Sequence, residues 1–389
     1  MKILILSFYY APDLCAGSFR CTALVELLKR VADPSIEIEV LTTLPNRYAS
    51  FNASAPEVEQ QPRVSIRRIA LPPHCSGMID QAKAFAHFAK EVHRFAKNKH
   101  YDLVFATSSR LMTAALGAWI ARRKRAVLYL DIRDMFVDTL KDVLPSAAAV
   151  CVKPIFSCLE KWAFTQAQRI NLVSNGFQEE IQTRYPRAQL RFFTNGIDAE
   201  FMMPQMQTHR AVSANGITIL YAGNMGEGQG LHWIIPELAK RLEGRARFIL
   251  MGDGGRKKQL EDALRAAQCH NVELLPPVCR EQLIKAYQQA DVLFLHLNDY
   301  DAFHKVLPSK IFEYAATGKP ILAGVAGYPA EFINTEIPNA AVFPPCNGVA
   351  AETAFQTLRL EAQQRNLFVR KYARDHIMRA MANDILSLL

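Results

Sequence analysis

The sequence predicts an α/β protein built from two doubly wound domains, each a parallel sheet covered by helices on both faces. Three observations carry this. Apolar runs of strand length alternate with helical stretches from one end of the 389 residues to the other. These runs are rich in β-branched residues and nearly continuous, as strands buried on both faces must be. One stretch near 195–215 has neither period nor core character and divides the chain into halves of ordinary domain size.

In the first half the strands are expected near 2–7, 37–42, 65–70, 102–106, 126–131, 169–173 and 190–194. In the second they are expected near 216–222, 246–251, 271–275, 292–297, 320–323 and 340–343. The domains then span 1–195 and 216–370, joined by a linker at 196–215. Residues 371–389 read as a helix with no strand after it, which would cross back onto the first domain.

Composition narrows the class. With 50% hydrophobic and 21% charged residues the chain can bury large cores, which excludes a disordered or low-complexity protein. The eight cysteines form no C-x-x-C pair and no zinc-like spacing, so reduced thiols are expected, and no metal or cofactor. The start, Met1-Lys-Ile-Leu-Ile-Leu-Ser-Phe8, reads as a strand rather than a signal peptide. No apolar run approaches the ~20 residues of a membrane-spanning helix. The expected location is the cytoplasm, free or peripheral on the inner face of the membrane.

Charge is unevenly placed. Residues 1–195 hold 26 Lys+Arg against 17 Asp+Glu, whereas 196–389 hold 20 of each, so the whole net charge of +9 lies in the first half. That points to an acidic partner there: an anionic membrane or a phosphorylated acceptor. No nucleic-acid motif is present. The run 83–99 has Phe85, Phe88, Val92 and Phe95 at helical spacing between lysines and arginines, and 122–125 is Arg-Arg-Lys-Arg. The first fits either a helix lying on a membrane or one packing its Phe face on the sheet.

The candidate site residues follow strands, where open α/β sheets bind ligands. After the first strand, the loop 9–20 offers Gly17 for close backbone approach and Arg20 for a phosphate. Asp131-Ile-Arg-Asp134 follows a buried strand, where charges either pair or face a ligand; Arg133 and Asp134 are the candidates. In the second half, Gly223-Asn-Met-Gly-Glu-Gly-Gln-Gly230 leads into a helix and should expose N–H groups as a phosphate cradle. It is neither the G-x-G-x-x-G fingerprint nor a P-loop. Gly252 and Gly254 form a second glycine turn where a nucleoside could lie, and Val278 sits where backbone groups could read a base edge.

The most informative stretch is Val306-Leu-Pro-Ser-Lys-Ile-Phe-Glu-Tyr-Ala-Ala-Thr-Gly-Lys-Pro320. Pro308 and Ser309 predict a helix start, and Gly318 with Pro320 its end, giving about two turns over 310–317. Lys310 and Glu313 share one face, a cation for a diphosphate beside a carboxylate for ribose hydroxyls.

Together these segments resemble the retaining glycosyltransferases of family GT4, with the GT-B architecture of two Rossmann-like domains facing a central cleft. The 306–320 stretch is similar to a subgroup that builds bacterial envelope polysaccharides, including N-acetylfucosamine transferases. The resemblance implies a nucleotide-sugar donor, usually a UDP-sugar, held by the C-terminal domain. Glu313 matches the second Glu of the family's Glu-x7-Glu motif, which holds the ribose. The N–H groups of Val306 and Leu307 fall where the family contacts the diphosphate, the Gly17 loop would face the phosphates, and Arg133-Asp134 stands near the reacting sugar. Two departures matter: Lys305 replaces the first Glu of the motif, and Glu227 and Gln229 replace the usual Arg and Lys. The expected activity is sugar transfer with retention to a lipid-linked or glycan acceptor. The alternatives are a GT-B partner protein without catalysis and a UDP-sugar epimerase.

Overall fold

The computed structural model describes residues 1–46, 54–72, 78–108, 111–138, 146–202 and 216–389. The chain forms two compact units, Met1–Asn195 with Asp375–Leu389, and Gly196–Arg374.

The first unit is an eight-stranded sheet. Its strands are β1 (Lys2–Leu6), β2 (Glu37–Thr43), β3 (Val58–Gln61), β4 (Val64–Ile69), β5 (Leu103–Ser108), β6 (Val127–Ile132), β7 (Arg169–Leu172) and β8 (Leu190–Arg191). They lie in the order β3-β4-β2-β1-β5-β6-β7-β8. All pairs are parallel except the β3–β4 hairpin, a strand the apolar-run criterion misses because Val-Glu-Gln-Gln is an exposed, polar edge. Its turn places Arg63 at φ 66°, from where the guanidinium reaches the Lys29, Ala32 and Asp33 carbonyls and closes the end of the helix Ala16–Val31.

The second unit is a six-stranded, all-parallel sheet of β9 (Ile217–Asn224), β10 (Ala246–Asp253), β11 (Val272–Leu275), β12 (Val292–His296), β13 (Ile321–Gly324) and β14 (Ala340–Phe343). The order is β11-β10-β9-β12-β13-β14, the Rossmann arrangement in which the strand order reverses between β9 and β12. One face carries a core of Ile219, Tyr221, Leu231, Ile234, Leu238, Phe248, Leu250 and Phe294. Ligands in such sheets sit beyond the carboxyl ends of the strands at the reversal, which here are the ends of β9 and β12.

The last helix, Arg374–Leu386, places 375–389 in the first unit. Met378, Met381, Ala382 and Ile385 are buried, and Asp384 accepts from Tyr129 Oη (3.0 Å), Arg169 Nη1 (2.5 Å) and Arg191 Nε (2.9 Å). Met381→Ala should therefore lower stability by about 2–5 kcal/mol, the usual result of emptying a core site. Urea unfolding followed by circular dichroism checks this; an unchanged midpoint would contradict it.

The linker expected at 196–215 is described in part. Residues 203–215 lie outside the described residues; 196–202 belong to the second unit, where Ile197 pairs with Ala373 and the helix Ala199–Met202 follows.

Candidate functional site

In the second unit the site is built around the helix Lys310–Ala316. Ser309 is not its cap: the residue is already helical at φ −60°, ψ −29°, and its side chain makes no capping bond. Packing fixes the helix instead. Phe312 meets Phe332, Phe368 and Tyr372 with ring centroids 5.8, 6.1 and 5.3 Å away. The backbone N–H of Ala222 donates to Tyr314 Oη at 3.3 Å, tying the helix to β9. At the other end Gly318 adopts φ 75°, and buried Arg365 donates to the carbonyls of Ala315 and Lys319, both at 3.1 Å.

This frame aims Lys310 under the end of β9. Its Nζ lies 3.8 Å from the Tyr221 ring centroid, a cation–π contact. A Cβ on Gly223 would fall 2.4 Å from Lys310 Nζ and Cε, so the glycine is where the lysine fits. Burial pushes the ammonium down to about 7, opposed by the charge of Glu313. Among the described residues no carboxylate lies within ion-pair distance of Lys310. Among the described residues, then, Lys310 is a half-buried cation that rests on a ring with no carboxylate against it.

Glu313, one turn on, is 12% exposed in its side chain. Its Oε2 accepts a long bond from Tyr287 Oη (3.3 Å), and its Oε1 is 4.0 Å from Arg280 Nη2. Burial raises its carboxyl above the ordinary value, Arg280 and Arg374 pull it down, and Asp198 pushes it up. Val306 donates its N–H to Phe303 at 3.3 Å in a turn, which leaves Leu307 as the better placed of the expected pair of donors.

The glycine loop departs from the expected cradle. The N–H of Gly226 donates to Gln229 Oε1 (3.2 Å) and that of Gly230 to the Glu227 carbonyl (3.1 Å), so both are used inside the loop. Gln229 Oε1 also takes Asn224 Nδ2 at 2.6 Å, which makes Asn224 a loop brace. Glu227, one of the two departures, is held by Arg256 Nε (2.5 Å) and Tyr300 Oη (2.5 Å). Its acidity therefore serves the loop, and Arg256 returns a cation beside it. Gly252 and Gly254 are positions of close backbone packing: a Cβ on the first would lie 1.8 Å from the Gly223 carbonyl oxygen, on the second 2.6 Å from Met225. Val278 is half-buried just before the helix Arg280–Gln289.

Sequence reasoning missed His296, Asn298 and Arg280. Burial lowers the His296 ring to about 4, so it is neutral: Nδ1–H donates to the Gln229 carbonyl (2.7 Å), and Nε2 accepts from the Cys346 N–H (2.9 Å). Asn298 Nδ2 donates to the Glu227 carbonyl at 3.1 Å. These loop contacts depend on strand order, which no local pattern signals.

In the first unit Gly17 and Arg133 do come together. Gly17 lies in the first turn of the helix Ala16–Val31, and a Cβ there would meet Arg133 Nη1 at 2.1 Å. Asp134 is exposed at the same edge. Arg20 is a correction: it is buried and binds Asp131 through two bonds of 2.9 Å and the carbonyls of Phe193 and Thr194, both at 2.7 Å, so it is a core ion pair rather than a phosphate ligand.

For the helix Met78–Ala96 the structure decides between the two alternatives. Phe85, Phe88 and Val92 are buried, and Phe95 is covered by Arg67 and Arg94 at 4.3 and 4.7 Å, so the Phe face belongs to the core and is not offered to lipid. The basic side chains remain outside. Lys124 Nζ donates to the Lys97 carbonyl (2.6 Å) and Arg123 lies 4.6 Å over Trp119, which meets His93 edge to face, so the two basic runs form one patch. Among the described residues no helix is long and apolar enough to cross a membrane, and no cluster of His, Cys, Asp or Glu could hold a metal.

Two parallel-sheet α/β units in one chain, each with its strand order reversing about the first strand of the unit, are the architecture of the GT-B class. Residues 22–196 match the model of the glycosyl transferase 4-like domain, and 216–361 that of the glycosyl transferases group 1. Between them the two matches reach into both units, and the chain belongs to the glycosyltransferases of GT-B type. It is 30% identical over 175 residues to the putative colanic acid biosynthesis glycosyl transferase WcaI of Escherichia coli K12, a match spanning 43% of this chain and 42% of that one. Among solved structures it resembles the sucrose-phosphate synthase of Thermosynechococcus elongatus, with a TM-score of 0.73, 15% identity and coverage of 100% and 99% of the two chains. It also resembles HepE of Anabaena in complex with UDP-glucose, at 0.69 and 17% with both chains fully covered. At these identities the structural likeness is one of fold.

Proposed function

We propose that this protein transfers a sugar, with retention at the anomeric carbon, from a UDP-sugar to a lipid-linked or glycan acceptor during bacterial cell-surface polysaccharide synthesis. The observation that carries the reading is the Lys310 ammonium seated between Tyr221 and Gly223 with no anion against it among the described residues. It suits a diphosphate, and Glu313, three residues on, suits the ribose hydroxyls. The UDP-glucose complex of HepE and the colanic acid relative favour a nucleotide-sugar donor and an envelope product. Arg133, over Gly17, and the exposed Asp134 beside it in the chain would serve the reacting sugar.

Transfer is written as a front-face step, because the sequence offers no evident pair of residues for a double displacement. The bond from the anomeric carbon to the diphosphate lengthens, the acceptor oxygen attacks from the same face, and its proton passes to the departing phosphate. Lys310 neutralises the charge that grows there, which is where catalysis by preorganised charge is strongest. UDP released from a panel of UDP-sugars with membrane-lipid extracts tests this. Turnover with an α-donor giving an α-product supports it; tight UDP binding without release on any donor contradicts it.

The acceptor is brought by the basic first unit. Exposed Lys83, Lys90, Arg94, Lys97, Arg122 and Arg125 attract an anionic surface, so the protein should sediment with phosphatidylglycerol vesicles at low salt and leave them at high salt. Sedimentation that ignores lipid charge would contradict this.

A further inference from the structure

Arg280, the first residue of the helix Arg280–Gln289, was singled out by no motif, yet four groups surround its guanidinium. Nη2 forms a short ion pair with Asp198, Nε lies 3.5 Å from Glu200, Nη2 lies 4.0 Å from Glu313, and Cζ sits 4.8 Å over the Phe201 ring. Asp198 is already held on its other side by Arg374 through Nε and Nη2. One guanidinium would have satisfied that carboxylate. Two of them stand around Asp198, and of the two other carboxylates within 4.0 Å of Arg280 the buried one is Glu313, since Glu200 is 55% exposed.

Glu313 in turn is incompletely bonded. Its partners stand at 3.3 and 4.0 Å, longer than charged groups prefer when they satisfy one another. Burial raises the carboxyl and Arg280 opposes that rise; ionised, a carboxylate with lone pairs left open is suited to accept from two neighbouring hydroxyls.

We propose that Arg280 is a positioning residue for Glu313: with Asp198 as its tether, it holds the Glu313 carboxylate ionised and aimed so that it grips the vicinal diol of the nucleotide ribose. This rests on the assignment of Glu313 to the ribose made above. Arg280 touches no ligand atom itself. Lys, at the same place, would keep the charge and lose the planar edge on which Nη2 faces Asp198 and Glu313 while Nε faces Glu200.

The test compares calorimetric affinities for UDP and 2′,3′-dideoxy-UDP from pH 5 to 8 in the wild-type protein, Glu313→Gln, Arg280→Met and Arg280→Lys. The ratio of the two affinities cancels the titration of the diphosphate and of Lys310, which both nucleotides share. The groups facing Glu313 are Arg280, Arg374, Asp198, Tyr287, Tyr314 and Lys310, and Arg280 is the charge removed. Wild type should prefer UDP on the order of tenfold or more, and lose the preference as pH falls and Glu313 takes its proton. In Arg280→Met that loss should begin at higher pH and the neutral-pH preference should fall several-fold, with dideoxy-UDP affinity unchanged.

Arg280→Lys should give a smaller fall, and it carries the test should the Met variant fail to fold. Either variant showing the wild-type preference and pH dependence overturns the proposal. A preference erased by Glu313→Gln but untouched by Arg280→Met overturns the proposal alone. A wild-type protein that binds both nucleotides equally overturns the ribose assignment and this proposal with it.

Discussion

Replacing Lys310 by Met should lower turnover by about 10²–10³-fold, the scale seen when one preorganised group facing a developing oxyanion is removed. Met fills the same space between Tyr221 and Gly223, so the fold should survive. Two further signatures separate this from general damage. Because burial lowers Lys310 to about 7, the free protein loses the binding form as pH rises. Wild-type kcat/KM should therefore decline above about pH 7, and the variant should lack that limb.

Stability should move the other way. The folded pKa lies below that of the unfolded chain, so unfolded molecules hold the proton between about 7 and 10.5 while folded ones shed it. Wild-type stability attributable to this group rises with pH across that window. Lys310→Met removes the cost of holding the charge and should be more stable near pH 7 by about 1–3 kcal/mol, after allowing for partial solvation. Unchanged turnover in steady-state kinetics would remove Lys310 from the mechanism.

The second large effect is expected from Gly252→Ala. Gly252 pairs with Gly223 across β9 and β10 at φ 151°, and its added Cβ would stand 1.8 Å from the Gly223 carbonyl oxygen. Strain and overpacking together should destabilise the protein by about 2–6 kcal/mol. Because the atom struck is backbone, no side chain can yield. Relief has to move Gly223, and with it the seat of Lys310, so UDP affinity should fall even in the folded fraction. Gly255→Ala is the internal control: nothing lies within 4 Å of that Cβ, and its effect should stay within about 0.5 kcal/mol. Equal urea midpoints for the two variants would contradict the packing account.

Much of this architecture was legible because strands buried on both faces announce themselves as continuous apolar runs. The runs that became β1, β9 and β12 are of that kind. The hairpin strand β3 was not legible, since an edge strand of Val-Glu-Gln-Gln has no buried face to write into the sequence. At the candidate site, the helix that carries Lys310 and Glu313 could be read from a short periodic stretch with a glycine stop. What they face could not. Tyr221 and Gly223 meet Lys310 only because β9 and β12 are neighbours at the strand-order reversal. Arg20 failed for a related reason: an arginine after a glycine turn looks the same in sequence whether its partner is a phosphate or Asp131, 111 residues away. The Phe stripe of Met78–Ala96 could have faced lipid or sheet, and only the packing decides between them.

The second unit is expected to grip a nucleoside diphosphate between Lys310 and Glu313. A crystal structure of the protein grown with UDP tests it most directly. The account predicts a phosphate oxygen about 3 Å from Lys310 Nζ and a ribose hydroxyl at the same distance from a Glu313 carboxylate oxygen. UDP bound with its diphosphate out of reach of Lys310, or its ribose turned away from Glu313, would contradict it.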